Sequence, residues 1–198
     1  MDESLSLLFP TEVWQFKSDN IDNKNLLSSI LKDEKKEDSL HYSNVGGWRS
    51  ADNLHLDSRF SGVVDFIIEN FDCICKRNNY IDNLIIKINA MWSMVNRNNH
   101  FNINHVHPRF DWSFCYYINT PIGCGNIVFV DPRIRKTMVN QASILSNYEN
   151  PSSHEIYFMA PTAGLLIIFP SYLEHYVEPN LSEEVRVSLS GNIILEKG

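Results

Sequence analysis

Three histidines and an arginine are the residues of this sequence whose types and spacing fit a chemical site. His105 and His107 are separated by one residue, His175 lies seventy positions beyond the first, and Arg186-Val187-Ser188 begins eleven residues later. Side chains on an extended segment alternate between faces with period two, so a strand through Ile103 to His107 points both rings to one side. A third imidazole brought up by the fold then completes a set of three ligands on one face of a metal, with positions left open for substrate and oxygen. Pro108 ends regular pairing directly after the pair. His175 follows the loop Pro170-Ser171-Tyr172-Leu173-Glu174, which leaves the apolar run Leu165 to Phe169, so it is expected near a strand start and turned toward the core. His41, His55, His100 and His154 lack such spacing and are expected in structural or surface positions.

Arg186 and Ser188 share one face of a strand whose neighbours Val185, Val187, Leu189, Ile193 and Ile194 are apolar. An inward Arg needs a permanent anionic partner, because an unpaired buried charge is very costly. A carboxylate held bidentately by the guanidinium and topped by the Ser188 hydroxyl satisfies both groups. The competing reading is an outward Arg186 paired with Glu178, Glu183 or Glu184. An anionic co-substrate is the reading that uses Arg and Ser together.

Positioning these groups falls to a run of short strands. Leu84 to Val95 is β-branched and aromatic, Asn96-Arg97-Asn98-Asn99 is turn chemistry, and Ile103 to His107 reads as a returning strand, so a hairpin is expected. Further strands are expected at Trp112 to Ile118, Asn126 to Val130, Glu155 to Met159, Gly164 to Phe169, His175 to Val177 and Val185 to Leu195. Gly and Pro punctuate the joints between them. Many short strands with such breaks indicate an all-β body, a jelly roll or barrel, over residues 82–198. The first eighty residues read as a mixed helical shell of the same single domain, 1–198. Leu26, Leu27, Ile30 and Leu31 give a helical stripe over 24 to 33, and Val63 to Ile74 another over 60 to 77, with Asp57-Ser58 as the candidate cap. Gly46-Gly47-Trp48-Arg49-Ser50 breaks the pattern as a turn or loop. Trp92, Trp112 and Phe129 are expected in the core or in a pocket wall.

Composition narrows the field further. A chain of 198 residues, 43% hydrophobic, fits one domain, which buries roughly 70% of the surface of its unfolded form. A net charge of −7 argues against a nucleic-acid partner, which requires a basic footprint. No run of about 18 apolar residues occurs and the N-terminus has no basic n-region, so a soluble, cytoplasmic protein without a membrane partner is expected. Four cysteines without zinc or redox spacing read as buried thiols in a reducing compartment. The mixed-sign run Asp33 to Asp38 reads as a solvated helix end or loop. A homodimer is compatible with this composition and nothing in it demands one.

Several stretches, in order, carry a family resemblance. They are His105 to Pro108, Trp112 to Ile118, Gly125 to Arg133, Pro161 to His175 and Arg186 to Asn192, joined by Leu8-Phe9-Pro10-Thr11 and the Gly46 to Ser50 loop. This pattern resembles a small family of 2-oxoglutarate- and Fe(II)-dependent oxygenases related to prolyl 4-hydroxylase catalytic domains, and it spans nearly the whole chain. The resemblance implies a double-stranded β-helix, cupin-like in its jelly roll, that takes Fe(II) and 2-oxoglutarate. By position it makes His105 the first metal ligand and His175 the distal one, with Arg186 and Ser188 on the far carboxylate of 2-oxoglutarate. The implied activity is hydroxylation of a C–H bond of a peptide or small molecule, with 2-oxoglutarate decarboxylated to succinate and CO2. Tyr116 and Tyr117 project to opposite faces, so one of them faces the interior; Tyr117 is taken as the candidate whose hydroxyl bonds the keto acid, with Tyr116 in that place and plain core packing both left open.

The sequence departs from the wider superfamily at the second ligand, where His-x-Asp or His-x-Glu is usual and His107 stands here. His107 satisfies the one-residue spacing. Asp111 has the right parity but lies beyond Pro108, and Asp131, in Asp-Pro-Arg, is more simply a turn. Two other functions stay open at this point: a cupin-like metalloprotein using three His ligands for a different reaction, and a binding module that has lost catalysis.

Overall fold

The computed structural model describes residues 4, 6, 8–133 and 155–198; His154 lies outside them. Two helices form where the apolar stripes place them. Helix α1 is Asn23–Asp33, capped by Asp22, whose carboxylate accepts from the Asn25 N–H at 3.1 Å, and it buries Leu26 and Ile30. Helix α2 is Ser61–Arg77 and buries Val63, Ile67, Phe71, Ile74 and Cys75, a stripe at helical spacing. Asp57 does not cap it. Its carboxylate accepts from the Arg59 N–H and so caps a 3-10 turn, Ser58–Phe60, that leads into α2 at Phe60 without a side-chain cap.

Two antiparallel sheets carry the rest. The strands are β1 (Trp14–Lys17), β2 (Asn44–Val45), β3 (Trp48–Arg49), β4 (Leu84–Asn96), β5 (Phe101–His105), β6 (Trp112–Asn119), β7 (Ile127–Val130), β8 (Ile156–Met159), β9 (Leu165–Pro170), β10 (His175–Val177) and β11 (Arg186–Lys197). One sheet has the order β1-β9-β6-β11-β4-β3 and the other β2-β5-β10-β7-β8. Of the expected loop at Gly46 to Ser50, Gly46 and Gly47 form a tight connection between two short edge strands, β2 and β3, that belong to different sheets, and Trp48–Arg49 is β3 itself. The N-terminal shell therefore also supplies three strands to the β-body, since β1 pairs with β9, β2 with β5 and β3 with β4.

The expected hairpin does not form. Strand β4 pairs with β11 and β3, whereas β5 pairs with β10 and β2, so the turn at Arg97 to His100 carries the chain from one sheet to the other. Turn chemistry marks where the chain reverses but carries no information on which sheet the next strand joins.

The six-stranded sheet is packed on both faces. Phe114, Tyr116 and Ile118 of β6, Leu166 and Ile168 of β9, and Val187, Leu189 and Ile193 of β11 face the helices, where Phe71 meets Trp112 edge to face at 5.6 Å between centroids and Phe66 meets Tyr116 at 6.3 Å. Cys115, Tyr117, Ile167 and Phe169 face the other way, against Ile127, Phe129 and Met159 of the five-stranded sheet. Gly191 is required where β11 crosses Phe114: a Cβ there would stand 2.3 Å from the phenyl ring and 2.4 Å from the Ala90 carbonyl oxygen. Of the four free cysteines three are buried, but Cys73, on the outer side of α2, is exposed rather than buried as expected.

Candidate active site

A cavity between the sheets is lined at one end by His105, His107 and His175 and at the other by Arg186, Ser188 and Tyr117, with Trp92 and Met94 on its walls. Strands β5 and β10 bring two imidazoles together by direct pairing, because His175 is the register partner of His105. His107 arrives differently. Strand β5 ends at His105, so the alternation argument does not apply to residue 107; its backbone N–H donates to the Ser171 carbonyl at 2.9 Å, and its ring lies 5.1 and 5.2 Å from those of His105 and His175. The candidate ligand atoms of the three residues lie within 4.8 Å of one another, and among the described residues they are the one such group of metal-ligating side chains.

Hydrogen bonding fixes which nitrogens are free. The Nδ1 atoms of His105, His107 and His175 lie 2.7, 2.6 and 2.9 Å from the Ile103 carbonyl, the Asn192 Oδ1 and the Leu173 carbonyl. Each partner is an acceptor, so each Nδ1 carries the proton and each neutral ring keeps its Nε2 lone pair for a ligand. Burial favours that neutral form. It lowers the pKa of His105, while burial and then the neighbouring His105 push His107 down to about 4 and His175 to about 3. Phe169 covers His175 edge to face at 4.8 Å, and Trp92 lies nearly parallel to His107 at 5.9 Å. Arg49 sits 4.3 Å over the Trp92 ring and 4.4 Å over Tyr42, paired with Asp52.

Among the described residues no carboxylate joins the three rings. Asp111 is engaged elsewhere, its Oδ2 accepting from the Leu195 N–H at 2.8 Å, and the Asp131 carboxylate accepts from the Arg133 backbone and guanidinium within the expected Asp-Pro-Arg turn. Three neutral imidazoles converging on one point fit a divalent first-row metal, which imidazole ligation suits.

At the opposite end Arg186 is 1% exposed. Its Nη1 donates to the carbonyls of Cys124 and Glu178, yet Nη2 is buried without a hydrogen-bond partner among the described residues. None of the three glutamates considered from sequence neutralises it; the Glu178 carboxylate is committed to Asn126, 2.7 Å from its amide. Burial therefore lowers the Arg186 pKa from its usual value. A buried guanidinium with a free N–H facing a cavity fits a carboxylate that comes from solution. Ser188 lies on the same face of β11, and Tyr117 projects into the cavity from β6 with its phenol pKa pushed well up by burial. Tyr116 takes the opposite face and donates to Asn23 of α1 at 3.0 Å.

Three residues of this site, Asn192, Ser113 and Ser171, carried no role in the sequence reading. The available signal was parity. Arg186, Ser188, Ser190 and Asn192 alternate with Val187, Leu189, Gly191 and Ile193, which makes one polar face along β11 that runs from the anion end of the cavity to His107.

A two-sheet body holding converging imidazoles opposite a buried arginine defines a metal-dependent enzyme of the double-stranded β-helix class that uses a carboxylate co-substrate. The profile of the family described as "Putative 2OG-Fe(II) oxygenase" matches residues 90–192, more than half of the chain, and the chain belongs to that family. It is an oxidoreductase that uses Fe(II) and 2-oxoglutarate. No curated protein matches it by sequence. Among solved structures it is similar to a prolyl-4-hydroxylase of Pseudomonas putida (TM-score 0.64, 14% identity, covering 95% of this chain and 94% of that one). It is also similar to HygX of Streptomyces hygroscopicus, solved with nickel and 2-oxoglutarate (TM-score 0.60, 10% identity, 92% and 82% covered). A Trichoplax adhaerens prolyl hydroxylase in complex with a hypoxia-inducible-factor peptide fragment gives TM-score 0.61 at 13% identity, with 92% and 83% covered. At these identities the likeness shows the fold. Family membership decides against the cupin-like and non-catalytic readings.

Proposed function

We propose that the protein hydroxylates a C–H bond of a peptidyl substrate, with His105, His107 and His175 holding the iron and Arg186, Ser188 and Tyr117 holding 2-oxoglutarate. The observation that carries this reading is the unpartnered Nη2 of Arg186, buried in the same cavity as the three histidines. An orphaned charged donor costs more than the 1–3 kcal/mol of a neutral one. A ligand carboxylate offsets that cost, and Ser188 and the Tyr117 hydroxyl add two neutral contacts.

Iron(II) with 2-oxoglutarate and O2 supplies the oxidising chemistry, in which the keto acid is split to succinate and CO2. The chain's own residues bind, orient and exclude water. Arg186 would fix one end of the keto acid in line with the histidines, two of which stand on the other sheet. Phe169, Trp92 and Met94 keep the wall between the two ends apolar. The open side of the cavity is left for substrate. A peptidyl substrate is favoured by the two neighbours named for prolyl hydroxylation, an argument from fold-level analogy. No described helix is long and apolar enough to cross a membrane, and the free cysteines suit a reducing compartment, so the cytoplasm is the proposed location.

The test is an anaerobic titration with Fe(II) and then 2-oxoglutarate. Chelation by the keto acid is expected to produce a visible metal-to-ligand charge-transfer band that is absent in Arg186→Ala. Tight iron binding with no band on adding 2-oxoglutarate would overturn the assignment.

A further inference from the structure

We infer that Asn192 is a positioning residue for the metal centre: it fixes the tautomer and direction of the His107 ring, and Ser113 and Ser171 hold it in place. The inference rests on the metal-site reading above and extends it to residues that touch no ligand.

The three histidines are held in two different ways. His105 and His175 stand on paired strands, and their Nδ1 protons go to main-chain carbonyls two residues back, Ile103 and Leu173. Main-chain geometry, that of β5 for His105 and of the turn before β10 for His175, thus sets their direction. His107 lies past the end of β5 and has no such carbonyl, so its Nδ1 donates to a side chain, the Oδ1 of Asn192 on β11, at 2.6 Å. A side-chain acceptor is only as well placed as its own contacts make it.

Those contacts form a closed ring. Ser113 Oγ donates to the same Asn192 Oδ1 at 3.0 Å, and Ser113 and Ser171 hydroxyls lie 2.7 Å apart. Because a hydroxyl has one proton and that of Ser113 goes to Asn192, Ser171 must donate to Ser113. The Ser171 carbonyl closes the ring by accepting the His107 N–H at 2.9 Å. Ser113 and Ser171 are wholly buried and Asn192 nearly so. In this structure the Asn192 Oδ1 faces both donors and its NH2 points away from the histidine. His107 Nδ1 must then carry the proton and its Nε2 the lone pair.

This arrangement follows from the ligand type. A carboxylate presents an oxygen whichever way it turns, whereas an imidazole at the same place ligates only as the correct tautomer. The second partners of metal-bound histidines generally matter to affinity by about 10- to 100-fold.

The experiment titrates metal-free protein with Co(II), following affinity and the visible d–d spectrum, which reports coordination number. Asn192→Ala is expected to weaken Co(II) binding by about 10-fold or more and to change the spectrum. Asn192→Asp keeps an acceptor for both donors and is expected to restore both to near wild type. Ser113→Ala, which frees the amide to turn, is expected to fall between. A role confined to folding would lower the melting temperature of the metal-free variants without the rescue by Asp. Wild-type affinity and spectrum in Asn192→Ala, or equal losses in the Ala and Asp variants, would overturn the inference. If Asn192→Ala does not fold, Ser113→Ala decides, and an unchanged spectrum there overturns it. Failure of the wild type itself to bind Co(II) would instead overturn the metal-site reading.

Discussion

The two sheets divide the work unequally. The six-stranded sheet is packed on both faces and carries Arg186, Ser188, Tyr117 and Asn192. The five-stranded sheet is thinner in cover, with Ile103 on β5 and Tyr157 and Phe158 on β8 about half exposed, and it carries His105 and His175. A charge that waits for an anion gains most from low dielectric and fixed geometry, so it sits in the doubly packed sheet. A neutral imidazole that needs one main-chain acceptor is placed by a short strand and the main chain leading into it. His107, between the sheets, is held by groups from both sides of the site.

Predictions that break this comparison run from large to small. His175→Ala removes the most buried imidazole and is expected to abolish metal binding, measured by metal content after dialysis, because two imidazoles remain. Arg186→Ala is expected to leave metal content intact and to weaken 2-oxoglutarate by about 100-fold, in line with 2–5 kcal/mol for one partner of a buried charged pair; isothermal titration of both ligands separates the two ends. Equal loss of both would mean that the sheets do not act independently.

Metal-free protein should lose stability on acidification because of its histidine end. His107 and His175 have folded pKa values of about 4 and 3, below the unfolded value, so they contribute no penalty above about pH 6.5. As pH falls below that, the unfolded chain takes up protons that the folded rings refuse. Each ring is expected to cost about 1.4 kcal/mol per pH unit until its folded pKa is reached. Urea melts between pH 7 and 4.5 measure the slope, and bound metal should steepen it, since protons then compete with the metal as well.

The smallest effect separates the faces of one strand. Tyr117→Phe is expected to weaken 2-oxoglutarate by about 5-fold, the size of a neutral hydrogen bond, with little change in melting temperature. Tyr116→Phe is expected to do the reverse, losing about 1 kcal/mol of stability with its bond to Asn23 and leaving co-substrate affinity unchanged.

Much of this protein is legible in one dimension. The helical stripes at Leu26 to Leu31 and Val63 to Ile74, and the strands from Leu84 onward, follow from periodicity because each element buries one face or both. Strand parity put Arg186 and Ser188 on one face, and the structure decided that this face points inward. Less legible were long-range choices. The turn after Asn96 was visible, but its strands joined different sheets, because pairing depends on which edges are free once the whole chain is laid down. Asp57 was a sound capping residue by type, and a 3-10 turn took it first.

The sequence by itself determined the chemical inventory: three imidazoles, one arginine on an apolar strand, and a histidine where a carboxylate ligand is usual. Side-chain type and strand parity are local properties, and they survive without knowledge of the fold. Only the tertiary structure decided how His107 reaches the others, since it lies beyond the strand that parity assumed. Its direction comes from Ser171, Ser113 and Asn192, which stand on or beside three other strands. Hydrogen bonds between residues 58 to 85 positions apart form only when the sheets close, and no local preference encodes them.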